Sequence, residues 1–256
     1  MPRETCLPLR LLPLLGALGV ALGAAPAVAP GATLAAQGSW PTTHQQATWV
    51  VATFDQPVST RTALWFDANW RRMGFGENPQ QLLLRPGVLV TLAPGVRAGG
   101  GYAYIATAPY GELPSETPLR EHRLWQQVLL SHAAGAVTIS HRYRWEQRWI
   151  AKVQGGETGD FGYQQRARYQ IRAQRPIETG PTPRIAYVQN EVLLPIGHSG
   201  SAGRFGQNRF AVGVGLPMGE GRRLDVGYMN LWNSLPARQA NEVNHTLTLT
   251  FVYTGR

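Results

Sequence analysis

Cysteine, lysine and long apolar runs are almost missing from this 256-residue chain. The single cysteine is Cys6, which excludes a disulfide framework and a thiolate metal centre from everything downstream of it. Lys152 is the only lysine, so positive charge is carried by arginine. Arginine keeps its charge when partly buried, and its planar fork pairs well with carboxylates. Acidic residues are also scarce, 15 against 24 basic ones, for a formal net charge of +9. Beyond the N-terminal region no stretch reaches the roughly eighteen apolar residues that a membrane helix needs, and no amphipathic helical pattern is visible. His122, His132, His141 and His245 lack metal-ligand spacing, and no glycine-rich phosphate loop leads from a strand into a helix. Neither a metal nor a cofactor is therefore expected, and no catalytic residue is assigned.

What is present begins with a leader. Arg3 and Arg10 precede an uncharged run from Leu11 to Ala36, rich in Leu, Ala and Gly and ending in small residues. This is the plan of a cleaved signal peptide over residues 1–36. Gly16, Gly19, Gly23, Pro26 and Pro30 interrupt the run and argue against a retained anchor. Cys6 lies ahead of the apolar stretch, where it cannot become a lipidated first residue. Cleavage would remove Arg3, Arg10 and Glu4, leaving a net charge of +8 on residues 37–256. An exported chain of about 220 residues without a membrane helix is periplasmic, secreted or an outer-membrane barrel.

Strand-like runs rich in Val, Leu, Thr, Tyr and Trp alternate with Gly, Pro, Asn and Asp. Eleven are readable, near Gln46 to Phe54, Thr60 to Arg72, Gln81 to Ala93, Val96 to Ala108, Arg120 to Ser131, Ala136 to Ile150, Phe161 to Gln174, Arg184 to Leu194, Arg204 to Leu216, Arg222 to Leu231 and Asn244 to Thr254. Each is about as long as, and several are longer than, the roughly 9–11 residues with which a tilted strand crosses a bilayer. Their connections alternate between tight and loose. The tight set is 55–57, 93–95, 132–135, 176–183 and 217–221; the looser set is 73–80, 109–119, 151–160, 195–203 and 232–243. Bacterial outer-membrane barrels show this asymmetry, with short turns at the periplasm. That assignment ends the last strand at the periplasm but starts the first one outside. A weak additional strand at Gln37 to Thr43 is therefore expected, for about twelve, with ten as the alternative count.

Ser140 to Ile150 separates into two faces: Arg142, Arg144, Glu146 and Arg148 on one, Tyr143, Trp145, Gln147 and Trp149 on the other. Only an extended strand sorts them this way. The same division recurs elsewhere. Arg166, Arg168, Gln170, Arg172 and Gln174 oppose Ala167, Tyr169, Ile171 and Ala173; Asp67, Asn69 and Arg71 oppose Leu64, Phe66 and Trp70; Arg223 and Asp225 oppose Leu224 and Val226. A soluble β-sandwich also alternates. Two features favour a wall between lipid and a polar lumen instead: the apolar faces are spread over all strands, and aromatic residues sit near strand ends, at Trp49, Trp70, Trp145, Trp149, Tyr102, Tyr104, Tyr228 and Tyr253. The fold expected is an antiparallel up-and-down transmembrane β-barrel.

The succession Glu121-His122-Arg123-Leu124-Trp125-Gln126-Gln127, then Arg142 to Arg148, Arg166-Ala167-Arg168-Tyr169, Asn190-Glu191, Gln207-Asn208-Arg209, Gly227-Tyr228 and His245 resembles the bacterial family catalogued as domain of unknown function 2490. The resemblance runs from about Thr48 to Tyr253. It implies an outer-membrane barrel without an established activity, with outer-membrane lipid and the barrel-assembly machinery as partners.

Facing inward on consecutive strands, Glu121, Arg123, Arg142, Arg144, Glu146, Arg148, Arg166, Arg168, Glu191, Gln207 and Arg209 form the candidate lumen network. Interleaved carboxylates and guanidinium groups stabilise one another across strands. Such a ladder either fills and closes the barrel or, through its arginine excess, draws small anionic solutes into a narrow pore. A lipid-modifying, phospholipase-like enzyme is the alternative, resting on His198 and Ser199 in a glycine-rich segment where a histidine could activate a serine. The basic charge does not point to nucleic acid, because the arginines alternate inward.

Overall fold

The computed structural model describes residues 40–113, 117–180, 182–197 and 206–255. The expected signal peptide, Cys6, His198 and Ser199 lie outside these. Within them the chain forms β1 (Thr42–Pro57), β2 (Thr62–Met73), β3 (Asn78–Ala93), β4 (Val96–Thr107), β5 (Leu119–Ala134), β6 (Val137–Gln154), β7 (Glu157–Thr158), β8 (Gly162–Pro176), β9 (Ile185–Ile196), β10 (Gln207–Pro217), β11 (Arg222–Leu235) and β12 (Ala240–Thr254). All except β7 close into one barrel, each strand hydrogen-bonded to its sequence neighbours. The two-residue β7 is a hairpin arm added to the end of β6.

Closure is made by β1 against β12, which run parallel from Thr42 opposite Asn241 to Asp55 opposite Thr254. Every other pairing is antiparallel. Hairpins reverse direction at each step, so a ring of eleven strands must bring its first and last members together in the same sense. The expectation of about twelve strands holds, with the twelfth located elsewhere. No separate strand precedes β1 among the described residues: of the segment Gln37 to Thr43, residues 37–39 lie outside them, Trp40 and Pro41 are in no strand, and Thr42 and Thr43 already belong to β1.

Two connections expected to be loose are tight. Residues 73–80 and 232–243 each contract to a single 3-10 turn, Gly74–Gly76 and Pro236–Arg238, because β2, β3, β11 and β12 extend past the apolar stretches that first marked them. The longest stretches between barrel strands in sequence are 108–118 and 197–206, which join strand ends on the side where β1 and β12 begin; 177–184 joins strands on the opposite side.

Strand alternation gives the barrel two unlike surfaces. Outside, large apolar side chains are exposed on every barrel strand, among them Phe54, Trp70, Leu84, Tyr102, Leu124, Trp145, Ile171, Val188, Phe210, Tyr228 and Leu247. Inside, one wall is apolar: Leu83, Ala103, Ile105 and Trp125 pack together with Trp65 against them. Trp65 and Trp125 meet edge to face, with ring centroids 5.2 Å apart. Glycine makes that contact possible, since a Cβ on Gly87 would overlap the Trp125 ring. Buried charge lies around this patch and over the rest of the interior, on β2, β3, β5, β6, β8, β9, β11 and β12.

Candidate functional site

Backbone register brings arginines directly opposite one another. Arg123 on β5 faces Arg148 on β6, and Arg144 on β6 faces Arg168 on β8. Like charges so placed repel, and carboxylates on the diagonals offset this. Glu121 accepts from Arg123 at 2.6 Å and from Arg148 at 2.7 Å. Glu146, wholly buried, accepts from Arg123 at 3.2 Å, Arg166 at 2.6 Å and Arg168 at 2.8 Å. Glu191 on β9 accepts from Arg168 at 2.6 Å, Arg142 at 2.7 Å and Arg209 at 3.2 Å. The outcome is one continuous belt, Arg148–Glu121–Arg123–Glu146–Arg168–Glu191–Arg209, with Arg166 and Arg142 as branches. A buried charge is tolerated only when paired and hydrogen-bonded, and each carboxylate here has at least two guanidinium partners.

Of the eleven residues singled out by sequence, the belt contains nine. Gln207 joins through its side-chain oxygen, which accepts from Arg209 at 2.6 Å. Arg144 stands apart. It faces inward and is buried, but it donates to Gln127 at 2.6 Å and lies over the Trp125 ring, 5.1 Å from the centroid, without touching a carboxylate. The apolar wall draws it away from the belt.

Trp49 corrects the expected outer aromatic girdle. It points inward, 6 % exposed, donates its indole N–H to Gln80 at 3.0 Å and holds the Arg71 guanidinium over its ring at 3.7 Å. Both faces of β1 are apolar around this position, Ala47 and Val51 on one side and Val50 and Ala52 on the other, so alternation alone cannot orient it. Arg71, Arg85, Asp67, Asp225 and Glu242 are further interior charges outside the expected site list. Arg71, Asp67 and Asp225 were legible from strand parity. Asp225 pairs with Arg172 at 2.9 Å, and Arg85 approaches Asp67 at 3.8 Å.

The end of the barrel where β1 starts is covered by chain. Gln45 donates to Glu242 at 2.8 Å and accepts the Glu112 N–H at 3.0 Å, pinning the segment after β4 across the opening. Tyr110 of that segment packs on the Trp49 and Met73 cluster. Burial, assisted by the nearby Glu242 charge, pushes its phenol up to about 12, so it covers the opening as a neutral group. Beneath it lies a polar cavity of about 120 Å³, lined by Trp49, Arg71, Gln80, Tyr110 and five belt arginines. A second cavity of about 390 Å³ occupies the other half of the interior. Trp49, Arg71, Arg168 and Arg209 line both, and so form the partition between them.

Among the described residues no three His, Cys, Asp or Glu side chains come together to hold a metal ion. Exterior histidines pair with exterior tyrosines instead, His141 with Tyr169 at 2.9 Å and His245 with Tyr228 at 2.7 Å. Chemically, the belt can hold a barrel together and bind anions through spare guanidinium N–H groups.

No curated protein matches this chain, and no solved structure does. A family model matches residues 46–242, a span that begins within β1, takes in the whole belt and ends within β12. The chain belongs to the family described as protein of unknown function DUF2490.

Proposed function

We propose that this protein is an integral bacterial outer-membrane barrel, exported by a cleaved signal peptide, whose interior is closed by the arginine–carboxylate belt. The observation that carries the reading is the inverted polarity of the barrel: exposed apolar side chains on all eleven barrel strands, charged side chains within. A soluble protein rarely leaves so much contiguous apolar surface in water, whereas a lipid-facing barrel wall requires it. The exterior band approaches the roughly 25 Å typical of such barrels. From Trp149 to His141 along β6, eight residues at about 3.3 Å each, tilted by about 40°, span roughly 20 Å.

The interior supports a closed barrel with a structural role. Glu146 joins three arginines from two strands, and Trp49, Arg71, Arg168 and Arg209 stand between two interior cavities. Narrow passage of small anions is the second reading, favoured by six belt arginines against three belt carboxylates. Protein refolded in detergent should migrate differently on a gel before and after heating. A species indifferent to heat and soluble without detergent would overturn the membrane reading. In planar bilayers the closed barrel conducts little; a steady anion-selective current abolished by Arg168→Gln would favour the pore. We take the protein to be non-enzymatic, and lipid hydrolysis lost in Ser199→Ala would overturn that.

A further inference from the structure

We propose that the cavity beneath Tyr110 is an internal binding site for a small multivalent oxyanion of the phosphate type. Charge in this space is unbalanced. Six guanidinium groups line the cavity: Arg71, Arg123, Arg148, Arg166, Arg168 and Arg209. The carboxylates that line it or bond to those arginines number four: Glu121, Glu146, Glu191 and Glu242. The arginines exceed these carboxylates by two; Arg142 draws further on Glu191, and Asp67, bonded to Asn69, lies next to Arg71.

Arg71 locates the excess. Among the described residues it forms no ion pair; it donates to the neutral side chains of Gln81 at 2.7 Å and Asn69 at 3.0 Å, and its buried Nε has no partner there. Trp49 holds it in place by stacking, and the Arg209 guanidinium lies 5.1 Å from the same ring centroid. Two guanidinium groups held at one indole, with surplus charge and a free donor, suit an acceptor with several oxygens better than a single-atom halide. A cavity of about 120 Å³ is ample for one small oxyanion. Tyr110 and Glu242 at its lining leave little room for a bulky attached group, so the free ion is the ligand probed.

Equilibrium dialysis of full-length protein, refolded in detergent and in phosphate-free buffer, against radiolabelled inorganic phosphate tests this. One saturable site per barrel is expected, competed by sulfate and not by equimolar chloride. Arg71→Gln should weaken binding about tenfold or more, while Arg97→Gln, whose partner Asp55 lies at the opposite end of the barrel, should bind as wild type. Should Arg71→Gln fail to give a heat-modifiable barrel, Arg71→Lys keeps the charge without the fork and should also weaken binding. Tyr110→Ala should speed phosphate exchange with unchanged stoichiometry. Absence of saturable binding, equal binding in the Arg71 variant, or full competition by chloride would overturn the site. Heat-modifiable migration is read on the same samples, so loss of the barrel is distinguished from loss of the ligand.

Discussion

Glu146 shows how much one residue can carry in this interior. It is fully buried, it accepts from Arg123, Arg166 and Arg168, and it bridges arginines contributed by β5 and β8. Glu146→Gln would leave three desolvated guanidinium groups short of a counter-charge, and removing one partner of a buried pair costs about 3–5 kcal/mol. A fall of that size in the urea stability of the detergent-refolded barrel is expected. A loss below about 1 kcal/mol, the range of exposed pairs, would show the belt to be mostly solvated. Away from the belt, Glu178 in the β8–β9 hairpin is held down to about 2 by hydrogen bonds from Arg184. A depressed carboxylate stabilises above its unfolded value and loses that contribution as pH falls through the folded one. The local contact should therefore persist at neutral pH and vanish between about 4 and 2. In an NMR titration, Arg184→Ala should return Glu178 to near 4.5; no change would exclude Arg184 as the cause.

At the scale of elements, the parallel seam between β1 and β12 is the part of the fold that alternation could not supply. Hydrophobic patterning identifies strands and their faces, but the first and last strands meet only once the barrel has closed. Val50 lies opposite Leu249 in that seam. The double substitution Val50→Cys with Leu249→Cys should cross-link on oxidation, since adjacent strands lie within the roughly 4.4–6.8 Å that a disulfide tolerates between Cα atoms. An additional strand inserted between them would double the spacing and prevent the bond. A second element-level device is the pair of glycines on β10 and β11. A Cβ on Gly213 or Gly227 would press on the Tyr187 hydroxyl, and the Tyr187 ring supports Arg172 at 3.8 Å. Gly213→Val should destabilise by about 1–3 kcal/mol through overpacking, with the heat-modified gel midpoint as the measure.

For the whole molecule, the consequence of closure is electrical. Wild-type protein in planar bilayers should give rare, small current events. Glu121→Gln combined with Glu146→Gln removes two nodes of the belt and releases arginine side chains without reducing their number, so conductance should rise with preference for anions. An increase in cation-selective current would contradict the assigned charge balance.

Composition and strand parity determined the all-β class, the strands that form the barrel wall and the inward orientation of the arginine-bearing faces, because side-chain alternation is a local property of extended chain. They did not orient Trp49, whose strand is apolar on both faces, nor separate Arg144 from the belt, since its preference for Gln127 and Trp125 depends on which strands lie beside β6. Tertiary structure alone decided the parallel closure, the gathering of Leu83, Ala103, Ile105 and Trp125 into one apolar patch, and the placing of Tyr110 over a polar cavity. Each depends on groups distant in sequence meeting around a closed ring, and no local pattern encodes the register at which such a ring shuts.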